Sequence, residues 1–416
     1  MAFGCDEHAL VRYGLKLLGG EEAAEVRRHL EDCPSCVAYL STFAPGDADG
    51  FGALAKAGAA AVDEMLKQPA EEWRRLFETN PERFANPAAV QALIQECEVA
   101  FDRDAARADV LSSILTESAD ALPPTFASRT LQALAWTRRA TALHRRGRLP
   151  DALAAVSAAV ARANHIPAAD YERALIAFTA ADILRELGRT EEALRGIREA
   201  AEVFARYNDA RRHASAREME AAVLFSSGEY ARAGEIFQTL LDAAPADPVV
   251  RGRLAANAAH CLTRIGEHAR ALPLFAAAEE FFMGAGYATH VARIAWGKAR
   301  AMRATGEEEA VDALRGVFNR FSELEATSEW VRVGIELVEW LLPTGAFAEV
   351  RAICTAVHER AIESGLQLQE MEAVSYLRDA AISERLTVDG ALHVRRFIET
   401  LPSTPNAEFH IPASLG

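Results

Sequence analysis

A chain of 416 residues, half of them apolar and a quarter charged, has room for more than one structural unit and has the composition of a globular rather than a disordered protein. Its formal net charge of −15 excludes sequence-independent nucleic-acid binding as a property of the whole molecule, because attraction to phosphate needs a basic surface, although a local basic patch stays compatible with it. No stretch reaches the roughly eighteen continuous apolar residues that span a bilayer, Met1–His8 offers neither a basic nor an apolar signal region, and six cysteines in a long chain without a signal fit a reducing, cytoplasmic compartment.

Alanine, leucine, glutamate and arginine dominate, and β-branched runs flanked by turn signals are scarce, so the predicted fold class is all-α. The first predicted helix covers Ala9–Leu18 and ends at Gly19-Gly20. A second runs from Glu21 to about His29 or Leu30. Positions four apart project to one side of a helix, so His29 and Cys33 can converge. Cys33-Pro34-Ser35-Cys36 then forms a tight knuckle, with Pro34 suited to the first turn of a following helix over Val37–Leu40. Amide dipoles at that helix start favour the thiolate that a metal requires.

Three ligands from one short stretch leave a tetrahedral Zn2+ in need of a fourth. The soft donors upstream are Cys5 and His8; Cys5 is favoured, with His8 as the alternative or as a group supporting a ligand. A Cys-x-x-Cys pair also serves redox chemistry, but that reading expects a βαβ pattern and none is visible. His29-x3-Cys33-x2-Cys36, preceded by Glu21-Glu22-Ala23-Ala24 and by Cys5, resembles the zinc finger of zinc-binding anti-sigma factors over residues 5 to about 42. The resemblance implies a small helical domain that wraps or occludes a sigma factor, with Cys5, His29, Cys33 and Cys36 as the zinc ligands. Many proteins of that kind continue into a transmembrane helix and an extracytoplasmic sensor, and this sequence shows neither. The same finger also occurs fused to unrelated domains.

The finger is assigned residues 1–43, and the turn-rich run 44–50 is the linker. Residues 51–127 read as helical but irregular, with Trp73, Leu76 and Phe77 on one face and Asn86-Pro87 as an N-cap and first-turn proline; residues 86–127 have room for a degenerate repeat. Over residues 128–380 glycines recur at 147, 188, 228, 266, 306 and 345. Ala140, Ala181, Ala221, Ala259 and Ala299 stand seven before the first five of them, and Leu143, Leu184, Leu224, Leu262, Met302 and Leu341 four before all six. Ala152, Ala193, Ala233 and Ala271 stand five after the first four. A glycine that caps a helix in the left-handed conformation, with alanines at close helix crossings, describes a helical hairpin. A hairpin cannot bury both its faces, so successive copies stack into an α-solenoid. The pattern resembles the tetratricopeptide repeat, with a unit nearer 40 residues than 34. The unit at Gly345 carries Val338 and Val350 in place of alanine and reads as degenerate, and residues 381–416 read as a capping helix and tail.

In that register the first helix of each unit lines the concave face with Arg145, Arg185, Arg253, Arg264, Arg293, Arg300, Arg303 and Arg332, joined by His144 and His260, against Asp182, Glu186, Glu218 and Glu339. The arginine excess predicts an acidic peptide or protein segment as ligand. Arg253 and Asn257 hold positions like those of a carboxylate clamp, without matching residues in the neighbouring units. Cys97, Cys261 and Cys354 stand singly in helical patterns and read as buried, inert thiols. No phosphate-cradling glycine loop, nucleophile elbow or His-Glu-x-x-His is present, and a four-ligand zinc site leaves no open position, so the expectation is a non-enzyme. The function expected is a protein-binding regulator, anti-sigma-like, with the finger on a sigma factor and the repeats on a second partner. The alternative is a repeat scaffold whose zinc is purely structural.

Overall fold

The computed structural model describes residues 7–14, 20–33, 36, 52–101, 104–123, 125–166, 169–243, 247–284, 287–364, 368–401 and 407–412. These residues are almost entirely helical, with no strand among them. They fall into two compact units that meet in sequence at Glu229 and Tyr230. The first holds α1 (Glu7–Gly14), α2 (Gly20–Asp32), α3 (Gly52–Leu66), α4 (Ala70–Thr79), α5 (Pro87–Phe101), α6 (Ala105–Asp120), α7 (Phe126–Arg145), α8 (Leu149–Ala163), α9 (Asp170–Glu186), α10 (Thr190–Arg206) and α11 (Ala210–Ser226). The second holds α12 (Tyr230–Asp242), α13 (Pro248–Arg264), α14 (His268–Gly284), α15 (Ala288–Thr305), α16 (Ala310–Glu323), α17 (Thr327–Leu341), α18 (Phe347–Ser364), α19 (Leu368–Ile382) and α20 (Val388–Thr400).

The irregular part of the first unit forms around a buried cluster in which Trp73 and Phe77 of α4 meet Leu93 and Cys97 of α5 and Leu111 and Leu115 of α6. Asn86 caps α5 as the sequence predicts, its Oδ1 accepting the Ala89 N–H at 2.9 Å. A Cβ at Gly58 of α3 would lie 2.0 Å from that same Oδ1, so the close approach of α3 to the cap requires glycine.

The glycine-anchored hairpins fold as the spacing predicts. Gly147, Gly188, Gly228, Gly266 and Gly306 all have φ between 70° and 86°, the left-handed region open to a residue without Cβ. Each closes its helix with the same pair of main-chain bonds. At the first, the Arg148 N–H donates to the Leu143 carbonyl at 3.0 Å and the Gly147 N–H to the His144 carbonyl at 2.8 Å. The bonds from Arg189 to Leu184, Glu229 to Leu224, Glu267 to Leu262 and Glu307 to Met302 repeat the first of these at 2.8–3.0 Å. Ala140, Ala181, Ala221, Ala259 and Ala299 are buried, as are Ala152, Ala193, Ala233 and Ala271, which fits alanine at close helix crossings.

The unit at Gly345 departs from this pattern, as Val338 and Val350 suggest. Leu342–Thr344 forms a 3-10 turn before the glycine, and both valines are buried in the core that joins α16 to α20. At Asn208, Glu325 and Glu384 the same left-handed turn occurs at φ 51–57° without glycine. After Asn208, for example, the Asp209 N–H reaches the Phe204 carbonyl at 2.9 Å. In the second unit α20 packs on α17, burying Ala391, Val394 and Ile398, and Phe409 of the C-terminal segment meets Phe397 and Tyr376.

Candidate metal centre and the arginine faces

α1 lies against α2, and Leu10, Val26 and Cys36 form one small buried cluster edged by Tyr13, Leu30 and Cys33. α2 continues to Asp32, two residues beyond the predicted end, which puts His29 in its last turn and Cys33 at its exit. The Cys36 N–H turns back to the Cys33 carbonyl at 3.1 Å, forming the expected knuckle. As a result the ligand atoms of His29, Cys33 and Cys36 all lie within 4.8 Å of one another, and His29 Nε2 is 3.2 Å from Cys36 Sγ. Tetrahedral zinc bound at ~2.3 Å by sulfur and ~2.1 Å by nitrogen sets its ligand atoms roughly 3.5–3.8 Å apart. Two thiols and one imidazole at this spacing fit such an ion with small adjustments. Cys5, the favoured fourth ligand, lies outside the described residues, and so do the side chain of the alternative, His8, and the predicted helix 37–40.

His144, Asp182 and Glu186 make a second group of metal-ligand types in the first unit, with His144 Nε2 3.1 Å from Glu186 Oε1. Arg185 donates to Asp182 Oδ1 at 2.6 Å and to Glu186 Oε1 at 3.3 Å, so a guanidinium already offsets these carboxylates. That disfavours a divalent cation there.

The predicted arginine face divides between the two units. In the first, Arg145 is exposed at the end of α7, while Arg185 is held by Asp182 and Glu186. In the second, Arg253 is exposed and Asn257 half-buried on α13, and Arg264 lies over the Tyr230 ring at 5.7 Å. Arg293 pairs with Glu329, Arg300 with the buried Glu336 at 2.7 Å, and Arg303 covers Trp340 at 5.5 Å. Glu329 and Glu336 were missed as counterweights because they stand outside the positions taken to face inward. The signal that finds them is the partner spacing, since each lies 36 residues after its arginine. The net positive excess along the face is therefore smaller than a count of its arginines implies.

Among the buried cysteines, burial pushes the thiols of Cys97, Cys261 and Cys354 up to about 12, which keeps them protonated and inert. No helix among the described residues is long and apolar enough to cross a membrane.

A family model described as "Putative zinc-finger" matches residues 10–36, the segment that carries His29, Cys33 and Cys36. No curated protein matches the chain. Solved helical proteins are similar to it over long stretches at low identity. The apo form of the quorum sensor NprR from B. thuringiensis is 13% identical, covers 78% of this chain and 98% of its own, and aligns with a TM-score of 0.49. A tetratricopeptide repeat protein from Parabacteroides merdae is 17% identical over 70% of this chain and 98% of its own, with a TM-score of 0.46. The apo form of RapI is 15% identical over 65% and 99%, also with a TM-score of 0.46.

Proposed function

We propose that this chain is a non-catalytic, cytoplasmic, protein-binding regulator of the anti-sigma kind. Its zinc-bound N-terminal module docks on a sigma factor, and its repeat hairpins hold a second, acidic partner. The observation that carries this reading is the convergence of His29, Cys33 and Cys36 inside the segment that matches the zinc-finger family. Zinc, when bound, supplies a cross-link between the end of α2 and the knuckle. A module of about forty residues is too short to hold itself by burial alone, which supports coupling of metal binding to folding there. With a fourth protein ligand the ion has no open position, which supports a recognition role over a hydrolytic one. A sigma factor is the partner because the resemblance implies it; the acidic second partner is inferred from the arginine excess of the repeat helices, which in the second unit comprises Arg253, Arg264, Arg293, Arg300 and Arg303.

A scaffold, with zinc as a structural staple only, is the second reading. It is favoured by the pairing of Arg185, Arg293 and Arg300 with carboxylates of their own chain, which leaves less charge for an outside ligand. Affinity capture with the full chain separates the two, using wild type, a Cys33→Ser/Cys36→Ser variant and an Arg264→Glu/Arg303→Glu variant, with metal content measured in parallel. Loss of a captured sigma factor with loss of zinc supports the regulator. A captured set that contains no sigma factor and does not change when zinc is lost supports the scaffold.

A further inference from the structure

A cleft of about 670 Å³ opens in the second unit where α15 runs beside α14 and α16. Its lining on α15 includes Ala288, Ala292, Ala295 and Lys298 but none of Arg293, Arg300 and Arg303, so it is distinct from those arginines. Its volume falls in the range of sites that enclose small molecules, roughly 300–1,000 Å³. Phe282, Met283 and Tyr287 form one wall, and Met283 and Tyr287 are two of the large apolar side chains that this chain leaves exposed. Gly316 lies on the opposite side, on α16, and a Cβ built on it meets nothing within 4 Å, so the cleft reaches that helix's backbone.

Three charged residues line this apolar space. Lys298 and Glu279 pair with each other at 3.2 Å, which leaves Arg320 as the net charge of the lining. Arg320 touches Glu323 at 2.9 Å, but that pair is more than half exposed on both sides, and such pairs contribute little and exchange readily. A ligand carboxylate offers the same guanidinium a bidentate partner.

We propose that this cleft binds a small amphiphilic carboxylate, its apolar body against Phe282, Met283 and Tyr287 and its acid group on Arg320. The site does not depend on the zinc module or on the inner-face arginines. Calorimetric titration of the full-length protein with decanoate and, separately, decanol tests it. Decanoate binds saturably at one site per chain and more tightly than decanol. Arg320→Gln weakens decanoate about tenfold, the loss of one charge-assisted contact, and leaves decanol unchanged. Gly316→Leu crowds the α16 side of the cleft and weakens both about tenfold, while its circular-dichroism melting temperature stays at or above that of wild type because the new side chain enters open space on a helix. The proposal is overturned if wild type takes up no decanoate, if decanol binds as tightly, or if either variant binds decanoate as wild type does.

Discussion

Arg300 on α15 grips Glu336 on α17 through Nε and Nη2, both at 2.7 Å, and the Trp296 indole N–H donates to the same carboxylate at 2.7 Å. Glu336 is buried while Arg300 keeps about a third of its surface in water, so the two residues are unequal partners. Removing the arginine strands a buried carboxylate; removing the carboxylate's charge leaves a guanidinium that water can serve. We therefore predict that Arg300→Leu destabilises the chain by about 3 kcal/mol and Glu336→Gln by only about 1 kcal/mol. Urea unfolding measured on the full chain checks the order, and equal costs would contradict it.

The capping glycines make a second contrast. Gly306→Ala forces a Cβ into a left-handed turn and should cost about 1–2 kcal/mol. Gly316→Ala, in the interior of α16 with open space around it, should instead stabilise by about 0.5–1 kcal/mol. Melting temperatures that move in opposite directions are the expected result.

Asp209 gives the first unit an acid-sensitive contact. Burial raises its carboxyl pKa, but hydrogen bonds from the Tyr171 hydroxyl at 2.6 Å and from Arg212 outweigh that and hold it below the usual value. A depressed folded-state pKa means stability that is fully present above the unfolded value of about 3.9 and is lost as pH falls through the folded value. Asp209→Asn should be less stable than wild type at pH 7 and should lose less as pH drops from 5 to 3. Parallel acid titrations followed by circular dichroism would show this as converging curves.

At the metal centre, the full chain should carry about one zinc per molecule. Cys33→Ser and Cys36→Ser should lose it, and His29→Ala should weaken it strongly. If Cys5 is the fourth ligand, Cys5→Ser loses zinc and His8→Ala keeps it. Thiol counting with an aromatic disulfide reagent adds a check, since stripping zinc should expose the N-terminal cysteines while Cys97, Cys261 and Cys354 stay unreactive in the folded chain.

The features most legible in the sequence are those set by a residue's own backbone or its near neighbours. Gly147 and its counterparts announce themselves because left-handed caps favour one residue type, and His29, Cys33 and Cys36 because a helix end and a short knuckle suffice to bring them together. The turns at Asn208, Glu325 and Glu384 have the same left-handed geometry but no glycine to mark it. The arginine face was read too simply for a related reason. Whether Arg293 and Arg300 are available depends on Glu329 and Glu336 one repeat away, and a pattern read helix by helix does not pair them.

The bonds shared by the glycine turns run between main-chain atoms, with Ser227 and Thr305 adding a hydroxyl at two of them, and they do not fix the sign of the charge that follows. After Gly147 a cation precedes an anion, Arg148 to Asp151 at 2.8 Å, whereas after Gly266 the order is reversed, Glu267 to Arg270 at 3.6 Å, on the same backbone. Each such turn is thus rewritable: its polarity can be inverted residue by residue, for labelling, crystallisation or altered solubility, while the main-chain bonds that close the hairpin stay the same.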